Sequence, residues 1–256
     1  MPLETNGKYS VDIVIDAGNT KVKVGVWEND TLSTIMSISY DEVHTALRDF
    51  CRENDVRYAI VCSVGPTIDW ERLMQCEKLL KLSVKMPLGI SNADTMPAEV
   101  GEDRIAVVAG TALSFPSEAV LIIDAGTCVT YDFIDREGVF TCGNISPGLQ
   151  MRLNAMHHYT SALPQLTYAE PVGDSTIDRV TTPTCMRGGA IDGMVGEIEY
   201  IVSLYRETHG DFKIILTGGD TDHLAKRLKS RIFARPNYLL ESLYTILKHN
   251  IKICES

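Results

Sequence analysis

The 256-residue sequence predicts an α/β protein built from two similar halves. A repeated segment is the first indication: residues 13–28 read IVIDAGNTKVKVGVWE and residues 121–136 read LIIDAGTCVTYDFIDR. In both, an apolar strand ends in Asp-Ala-Gly and a second strand follows a short turn. After each repeat come a further strand and then helices with single strands between them, which is the second indication. We therefore place an N-terminal half at residues 1–115 and a C-terminal half at residues 116–256, packed closely because no flexible linker separates them.

The N-terminal half is predicted to begin β-β-β-α-β-α. Its first strand is apolar on both faces, as in a buried strand, and its second alternates valine with lysine or glycine. The predicted strands lie at residues 11–16, 21–26, 32–40 and 57–64, and the helices at 41–54, 67–82 and 103–113.

The C-terminal half is predicted to begin in the same way, with three consecutive strands. Its last helix carries a leucine stripe. The predicted elements are three strands within residues 119–146, helices at 147–159 and 184–208, a strand within 212–220, and two closing helices, the last at 237–250.

Composition limits the classes of function. The net charge is −10 and the pI is about 5.1, which argues against nucleic-acid binding. The sequence has no apolar run of about 20 residues and no signal-peptide pattern, so we expect no membrane contact and a cytoplasmic location. Seven cysteines with no C-x-x-C spacing predict buried free thiols rather than disulfides or a zinc site.

The motif DAGNT, residues 16–20, is the first candidate for chemistry. Gly18 allows a sharp turn, and Asn19 and Thr20 offer donors beside backbone N–H groups, which suits a phosphate cradle. Asp16 ends a strand, where it could orient metal-bound water. Since Asp, Gly and Asn all form turns, an ordinary hairpin turn is the alternative.

Two later glycine turns extend this hypothesis. Residues 124–127, Asp-Ala-Gly-Thr, repeat the first turn, so the two turns could face each other and pair Asp16 with Asp124 around one cation. Residues 217–220, Thr-Gly-Gly-Asp, follow a strand and open a helix, where backbone N–H groups favour an anion. A plain strand-to-helix turn is the alternative for this last motif.

The segment Gly101–Glu102–Asp103–Arg104 begins an apolar helix. Locally it reads as an N-cap at Asp103 followed by a solvated Arg104. The sequence has no G-x-x-x-x-G-K-[ST], which excludes a P-loop, and no protein-kinase signature. It also has no strand-end G-x-G-x-x-G, which argues against a Rossmann dinucleotide site.

Taken in order, these motifs resemble the type III pantothenate kinase family over nearly the whole chain. D-x-G-N-T-x-x-K is met at residues 16–23, G-x-D-R at 101–104 and D-x-G-T at 124–127. The remaining matches are the G-x-I-x-P-G-x-x-M segment at residues 143–151, the run of Thr182 with Gly189, Gly193 and Gly196, LTGGD, and RPNYLLESLYTIL.

The resemblance implies a duplicated ribonuclease H-like, actin-like ATPase fold with a mixed five-stranded sheet flanked by helices in each half. It also implies an ATP-dependent pantothenate kinase of coenzyme A biosynthesis that works as a homodimer. Magnesium would accompany ATP, with Asp16 near it through water, and Asp124 would bind potassium or ammonium.

The same resemblance assigns the site residues. Asp103 would be the general base. Pantothenate would contact residues 101–104 and Thr182, the latter from the neighbouring subunit, so the substrate pocket would lie near the subunit interface. The residues implied to bind ATP are Asp16, Ala17, Gly18, Asn19, Thr20, Lys21, Val22, Lys23, Thr127, Gly218 and Gly219.

One position departs from the family pattern. The family usually has a tyrosine seven residues before the glycine of G-x-D-R, where this chain has Asp94. Either the loop is shifted or another side chain takes that role. Two other functions stay open: a sugar-type kinase of the same superfamily, and a non-catalytic, nucleotide-binding regulatory relative.

Overall fold

A computed structural model describes residues 10–168 and 179–255. These residues form two compact units. Unit 1 contains residues 10–117, 137–140 and 238–255, and unit 2 contains residues 118–136, 141–168 and 179–237. The units follow spatial contacts, whereas the predicted halves follow the repeat, so a boundary at residues 115/116 stays a prediction.

Each unit is organised around one mixed sheet. The strands are β1 (Ser10–Ala17), β2 (Val22–Glu28), β3 (Thr31–Ile38), β4 (Asp55–Ser63), β5 (Lys78–Lys81), β6 (Val120–Ala125), β7 (Cys128–Ile134), β8 (Phe140–Pro147), β9 (Lys213–Thr217) and β10 (Phe233–Ala234). The helices are α1 (Val43–Glu53), α2 (Trp70–Leu73), α3 (Glu102–Ser114), α4 (Leu149–His158), α5 (Thr182–His209), α6 (Thr221–Ala225) and α7 (Tyr238–Glu255).

The two sheets have the same strand order. In unit 1 the order is β3-β2-β1-β4-β5, and in unit 2 it is β8-β7-β6-β9-β10 when read from the matching edge. The central strand of each pairs antiparallel with the strand that follows it and parallel with a later strand. The shared topology confirms the predicted duplicated α/β fold with five-stranded mixed sheets.

The C-terminal helix α7 belongs to unit 1 and packs against α3. The two helices approach closely at Gly110, where an added Cβ would overlap Ser242. Tyr244 of α7 also stacks on Trp27 with ring centroids 4.5 Å apart, and its hydroxyl donates to Asp30 Oδ1 at 2.5 Å. Through α3, this helix supports the segment that carries Asp103.

The predicted helix at residues 67–82 is wrong. Residues 70–73 form the short α2, and residues 78–81 form β5, which pairs parallel with β4 from Tyr58↔Lys78 to Val61↔Lys81. The sequence EKLLKL fits either period, and the open edge of β4 supplies hydrogen-bond partners that favour the strand. The short strand β10 was also missed. The other predicted helices are confirmed, with ends that differ by a few residues.

The cysteine prediction is only partly correct. Cys51 and Cys62 are buried free thiols, whereas Cys142, Cys185 and Cys254 are exposed. Cys142 lies on the edge strand β8, and the other two lie in the terminal turns of α5 and α7, where one side of the chain faces solvent. Among the described helices, none combines the length and apolar character needed to cross a bilayer.

Candidate active site

The N-terminal hairpin turn, residues 16–23, joins β1 to β2. Strand pairing sets Asp16 opposite Lys23 and Ala17 opposite Val22. The Gly18 N–H donates to the Lys21 carbonyl oxygen at 3.1 Å, which closes the turn. Asn19, Thr20 and Lys21 at its tip are exposed. The predicted phosphate-binding residues therefore lie together on one open turn whose base is fixed by the sheet.

Three residues that were not predicted as site residues hold this turn in place through hydrogen bonds to its backbone. The Tyr40 hydroxyl donates to the Gly18 carbonyl oxygen at 2.5 Å. The N–H groups of Val64 and Gly65 both donate to the Ala17 carbonyl oxygen at 3.0 Å. A Cβ at Gly65 would overlap the Tyr40 hydroxyl and the Gly18 carbonyl oxygen, so this close approach requires glycine. The Gly-Pro pair after buried β4 was the available signal.

Asp16 and Asp103 lie close enough to interact electrostatically. Burial raises the pKa of the Asp16 carboxyl to about 6, with Lys23 opposing the rise and the Asp103 carboxylate adding to it. Unit 1 thus places the predicted general base beside the acid at the end of β1. Two neighbouring carboxylates, one at the end of a strand and one in the first turn of a helix, suit a site that receives a cation or a proton.

The first turn of α3 differs from the local interpretation of the sequence. Gly101, rather than Asp103, is the N-cap, and Asp103 lies inside the helix, where its Oδ1 accepts the Arg104 N–H at 2.8 Å. Glu102 Oε2 accepts the Ser63 N–H at 2.9 Å. Residues 101–104 are all partly buried. The G-x-D-R segment is therefore anchored to the same strand ends as the N-terminal hairpin turn.

The C-terminal hairpin turn, residues 124–127, is built in the same way in unit 2. The Gly126 N–H donates to the Cys128 carbonyl oxygen at 2.9 Å, and the Thr127 carbonyl oxygen accepts the Gly148 N–H at 3.1 Å. A Cβ at Gly148 would overlap the Gly126 carbonyl oxygen, so the start of α4 packs directly on this turn. Asp124 is partly buried and Thr127 is exposed.

The predicted Thr-Gly-Gly-Asp turn contacts the C-terminal hairpin turn. Gly218 has a φ of +92°, and a Cβ there would overlap the Ala125 carbonyl oxygen and Asp124 Oδ1. At Gly219 an added Cβ would meet open space. Position 218 therefore requires glycine for two reasons: the positive φ disfavours other residues, and there is no room for a side chain.

Asp220 is a structural member of this site that the sequence analysis left without a role. It is 3% exposed; its N–H donates to the Ala125 carbonyl oxygen at 2.9 Å, and its Oδ2 accepts the Leu149 N–H at 3.4 Å. Burial raises the pKa of Asp220, opposed by hydrogen bonds from Leu149 and Tyr168. Asp220 joins the strand ends of unit 2 to the start of α4. Its place after paired glycines was the only signal.

Thr182 and Asp94 lie outside the turns described above. Thr182 is exposed at the beginning of α5, next to the N-cap Thr181, whose hydroxyl accepts the Thr184 N–H. Asp94 is exposed in a 3-10 turn at Ala93–Thr95.

The donor set fits magnesium only as an ion shared with a ligand. Among residues 10–168 and 179–255, no three His, Cys, Asp or Glu side chains cluster in a way that could hold a metal ion. Magnesium in kinases is held by one or two carboxylates, by phosphate oxygens and by water. Asp16 fits the role of a magnesium ligand, because a nearby cation would offset the effect of burial and favour the charged form of its carboxyl group.

Comparison with known sequences gives a consistent result. The profile of the family "Type III pantothenate kinase" matches residues 12–204. A type III pantothenate kinase of Flavobacterium johnsoniae is 37% identical over 249 residues, covering 93% of this chain and 98% of that protein. One of Bacteroides fragilis is 36% identical over 248 residues, covering 94% and 98%.

Solved structures resemble this chain in fold. A Campylobacter jejuni protein assigned to the Baf family of transcriptional activators matches with a TM-score of 0.60 and 18% identity, over 94% of this chain and 99% of that one. A glucokinase from an Antarctic psychrotroph matches with a TM-score of 0.50 and 9% identity, over 93% and 99%. At these identities the likeness concerns the fold alone, and it confirms the predicted duplicated ribonuclease H-like, actin-like ATPase architecture.

Proposed function

Because the chain belongs to the type III pantothenate kinase family, we propose that it transfers the γ-phosphoryl group of ATP to pantothenate. The products are ADP and 4'-phosphopantothenate, so the reaction is the first step of coenzyme A biosynthesis. Within the structure, the proposal is carried by the approach of the first turn of α3 to the N-terminal hairpin turn: Ser63, which pairs with Ala17, also bonds Glu102, the neighbour of Asp103. The Asp103 carboxylate is close enough to affect the pKa of Asp16.

Asp103 acts as the general base for the acceptor alcohol. The oxygen of the primary hydroxyl forms a bond to the γ-phosphorus while the bond from that phosphorus to the β,γ-bridging oxygen breaks, and the hydroxyl proton passes to the Asp103 carboxylate. Phosphoryl transfer depends mostly on positioning and charge stabilisation, so the base needs hydrogen-bond reach of the hydroxyl more than a special pKa. Arg104, the next residue, offsets the negative charge of pantothenate.

The N-terminal hairpin turn binds the phosphates. Its exposed tip offers the Asn19 and Thr20 side chains, and Lys23 opposite Asp16 contributes positive charge. A protein with net charge −10 needs such local donors for a polyanion. Magnesium, when bound, supplies charge neutralisation on the phosphates, and Asp16 is the carboxylate of this chain that would hold it, in part through water.

Unit 2 contributes the other nucleotide contacts in this proposal. Thr127, Gly218 and Gly219 contact the nucleotide, and Asp124 holds potassium or ammonium. In support of this, Gly218 lies against Asp124 and Ala125, so the Thr-Gly-Gly-Asp turn is adjacent to the C-terminal hairpin turn in unit 2. We further propose a cytoplasmic homodimer in which Thr182 of one subunit completes the pantothenate pocket of the other.

The test is a substrate panel with purified protein, ATP, magnesium and potassium, with ADP release as the readout. Pantothenate should stimulate ADP release, and glucose and N-acetylmannosamine should not. Stimulation by a sugar alone would favour the sugar-kinase alternative. ATP binding with no stimulation by any acceptor would favour the non-catalytic relative. Omitting potassium, or replacing it with sodium, tests the monovalent cation in the same assay.

A further inference from the structure

A hydrogen bond connects the end of β4 to α3. Parallel pairing sets Ser63 beside Ala17, at the base of the N-terminal hairpin turn. The next N–H groups along the chain, of Val64 and Gly65, donate to the Ala17 carbonyl oxygen. The Ser63 N–H instead donates to Glu102 Oε2 at 2.9 Å. At this point of the sheet the Glu102 side chain therefore accepts a backbone hydrogen bond that a neighbouring strand would otherwise accept.

This hydrogen bond reaches the turn of α3 that carries Asp103. The N-cap Gly101 has no side chain with which to cap the helix, so bonds made by residues within the turn contribute to its position. Asp103 uses one of its oxygens to accept the Arg104 N–H, a bond inside the turn. The Glu102–Ser63 bond leaves the helix and joins it to the sheet.

The turn is held against electrostatic repulsion. Asp16, Glu102 and Asp103 all act on the buried Cys62 thiol, where burial and then these three carboxylates raise its pKa. Like charges gathered at one strand end push one another apart. A backbone N–H donated to Glu102 is the kind of charge-assisted hydrogen bond that opposes this repulsion.

We propose that Glu102 is a positioning residue, whose bond to the Ser63 N–H fixes the first turn of α3 so that Asp103 stays beside Asp16. The inference rests on the proposed kinase function. It gives Glu102 a role other than the direct contact with pantothenate that the family motif suggests. The oxygen that accepts from Ser63 is engaged with the protein backbone, and a neutral amide oxygen could accept the same bond.

The experiment compares Glu102→Ala, Glu102→Gln and the control Glu99→Ala, which removes an exposed acid from the preceding loop. Steady-state kinetics with ATP and pantothenate give kcat and both KM values for each protein. We expect Glu102→Ala to lower kcat roughly 10–100-fold with the KM for ATP little changed, since small displacements of a reacting group have effects of this size. Glu102→Gln should retain most of the wild-type kcat, and Glu99→Ala should match the wild type.

Amide hydrogen exchange supplies a second readout that needs no turnover. The Ser63 amide and the first turn of α3 should exchange faster in Glu102→Ala and at the wild-type rate in Glu102→Gln. Equal loss of kcat in both variants, or a higher KM for pantothenate with kcat unchanged, would overturn the proposal in favour of substrate contact. If the wild type does not phosphorylate pantothenate, the proposed function fails, while unchanged exchange in Glu102→Ala would separately refute the bond's positioning role.

Discussion

Replacing Asp16 with asparagine should make unit 1 more stable at neutral pH. The carboxylate is kept largely buried at the end of β1, and burial is the main cause of its raised pKa. Asparagine has nearly the same shape but carries no charge, so the penalty for burying the charge disappears. In the proposed function the Asp16 charge serves magnesium and phosphate binding, so the wild type would keep this penalty as a compromise between stability and function.

The magnitude follows from the pKa. A rise from the ordinary value of 3.8 to about 6 disfavours the charged form by about 3 kcal/mol, at 1.36 kcal/mol for each pKa unit. Since the amide of asparagine must also be desolvated, we expect a net gain of about 1–3 kcal/mol at pH 8. The penalty is absent when the carboxyl is neutral in both states, below pH 3.8, and is complete above the folded pKa. At pH 4.5 about two thirds of the charge penalty is absent, so the advantage of Asp16→Asn should be about 2 kcal/mol smaller than at pH 8.

Tryptophan fluorescence measures this in unit 1 alone, because the only two tryptophans, Trp27 and Trp70, lie there. Urea unfolding of wild type and Asp16→Asn at pH 8 and pH 4.5, without nucleotide, gives the difference in unfolding free energy. Asp41→Asn, which neutralises an exposed carboxylate, is the control and should change little. An Asp16→Asn protein that is no more stable at pH 8, or a difference independent of pH, would refute the reasoning.

Three further substitutions test the packing around the site. Gly110→Ala should destabilise unit 1 by about 1–3 kcal/mol in urea unfolding, although alanine normally stabilises a helix by about 1 kcal/mol, because its Cβ would overlap Ser242. A stabilised variant would show that α7 can shift away. Gly65→Ala should raise the KM for ATP, since its Cβ would displace the N-terminal hairpin turn; unchanged ATP kinetics would contradict this. Tyr244→Phe should cost about 0.5–1.5 kcal/mol through the lost bond to Asp30, and no loss would mean that water replaces it.

The sequence predicted the fold well because the decisive signals are local. The two Asp-Ala-Gly turns lie at corresponding ends of β1 and β6, and each is followed by an antiparallel strand. Strand periodicity and glycine turns depend on neighbouring residues, so they can be read without tertiary contacts. The helix predicted at residues 67–82 was wrong for the opposite reason. The short segment at β5 forms a strand because the edge of β4 is available to it, and that is a tertiary contact.

The support of the site could not be predicted in the same way. Tyr40, Gly65 and Asp220 act through contacts with residues far away in sequence, and each has an ordinary local interpretation as a loop or turn residue. The bond from Ser63 to Glu102 spans 39 positions and involves a backbone N–H, which leaves no mark in the sequence. Motifs indicate which residues carry chemistry, whereas these distant bonds determine where those residues lie.

The most direct measurement is the mass of the product formed by wild type and Asp103→Asn from ATP and pantothenate. We expect the wild type to form phosphopantothenate in equal amount to ADP. Asp103→Asn should bind ATP with unchanged affinity, keep its fold and lose most of the turnover, at least about 100-fold, as expected for a lost general base. Phosphopantothenate formed by Asp103→Asn at a near-normal rate would contradict the account.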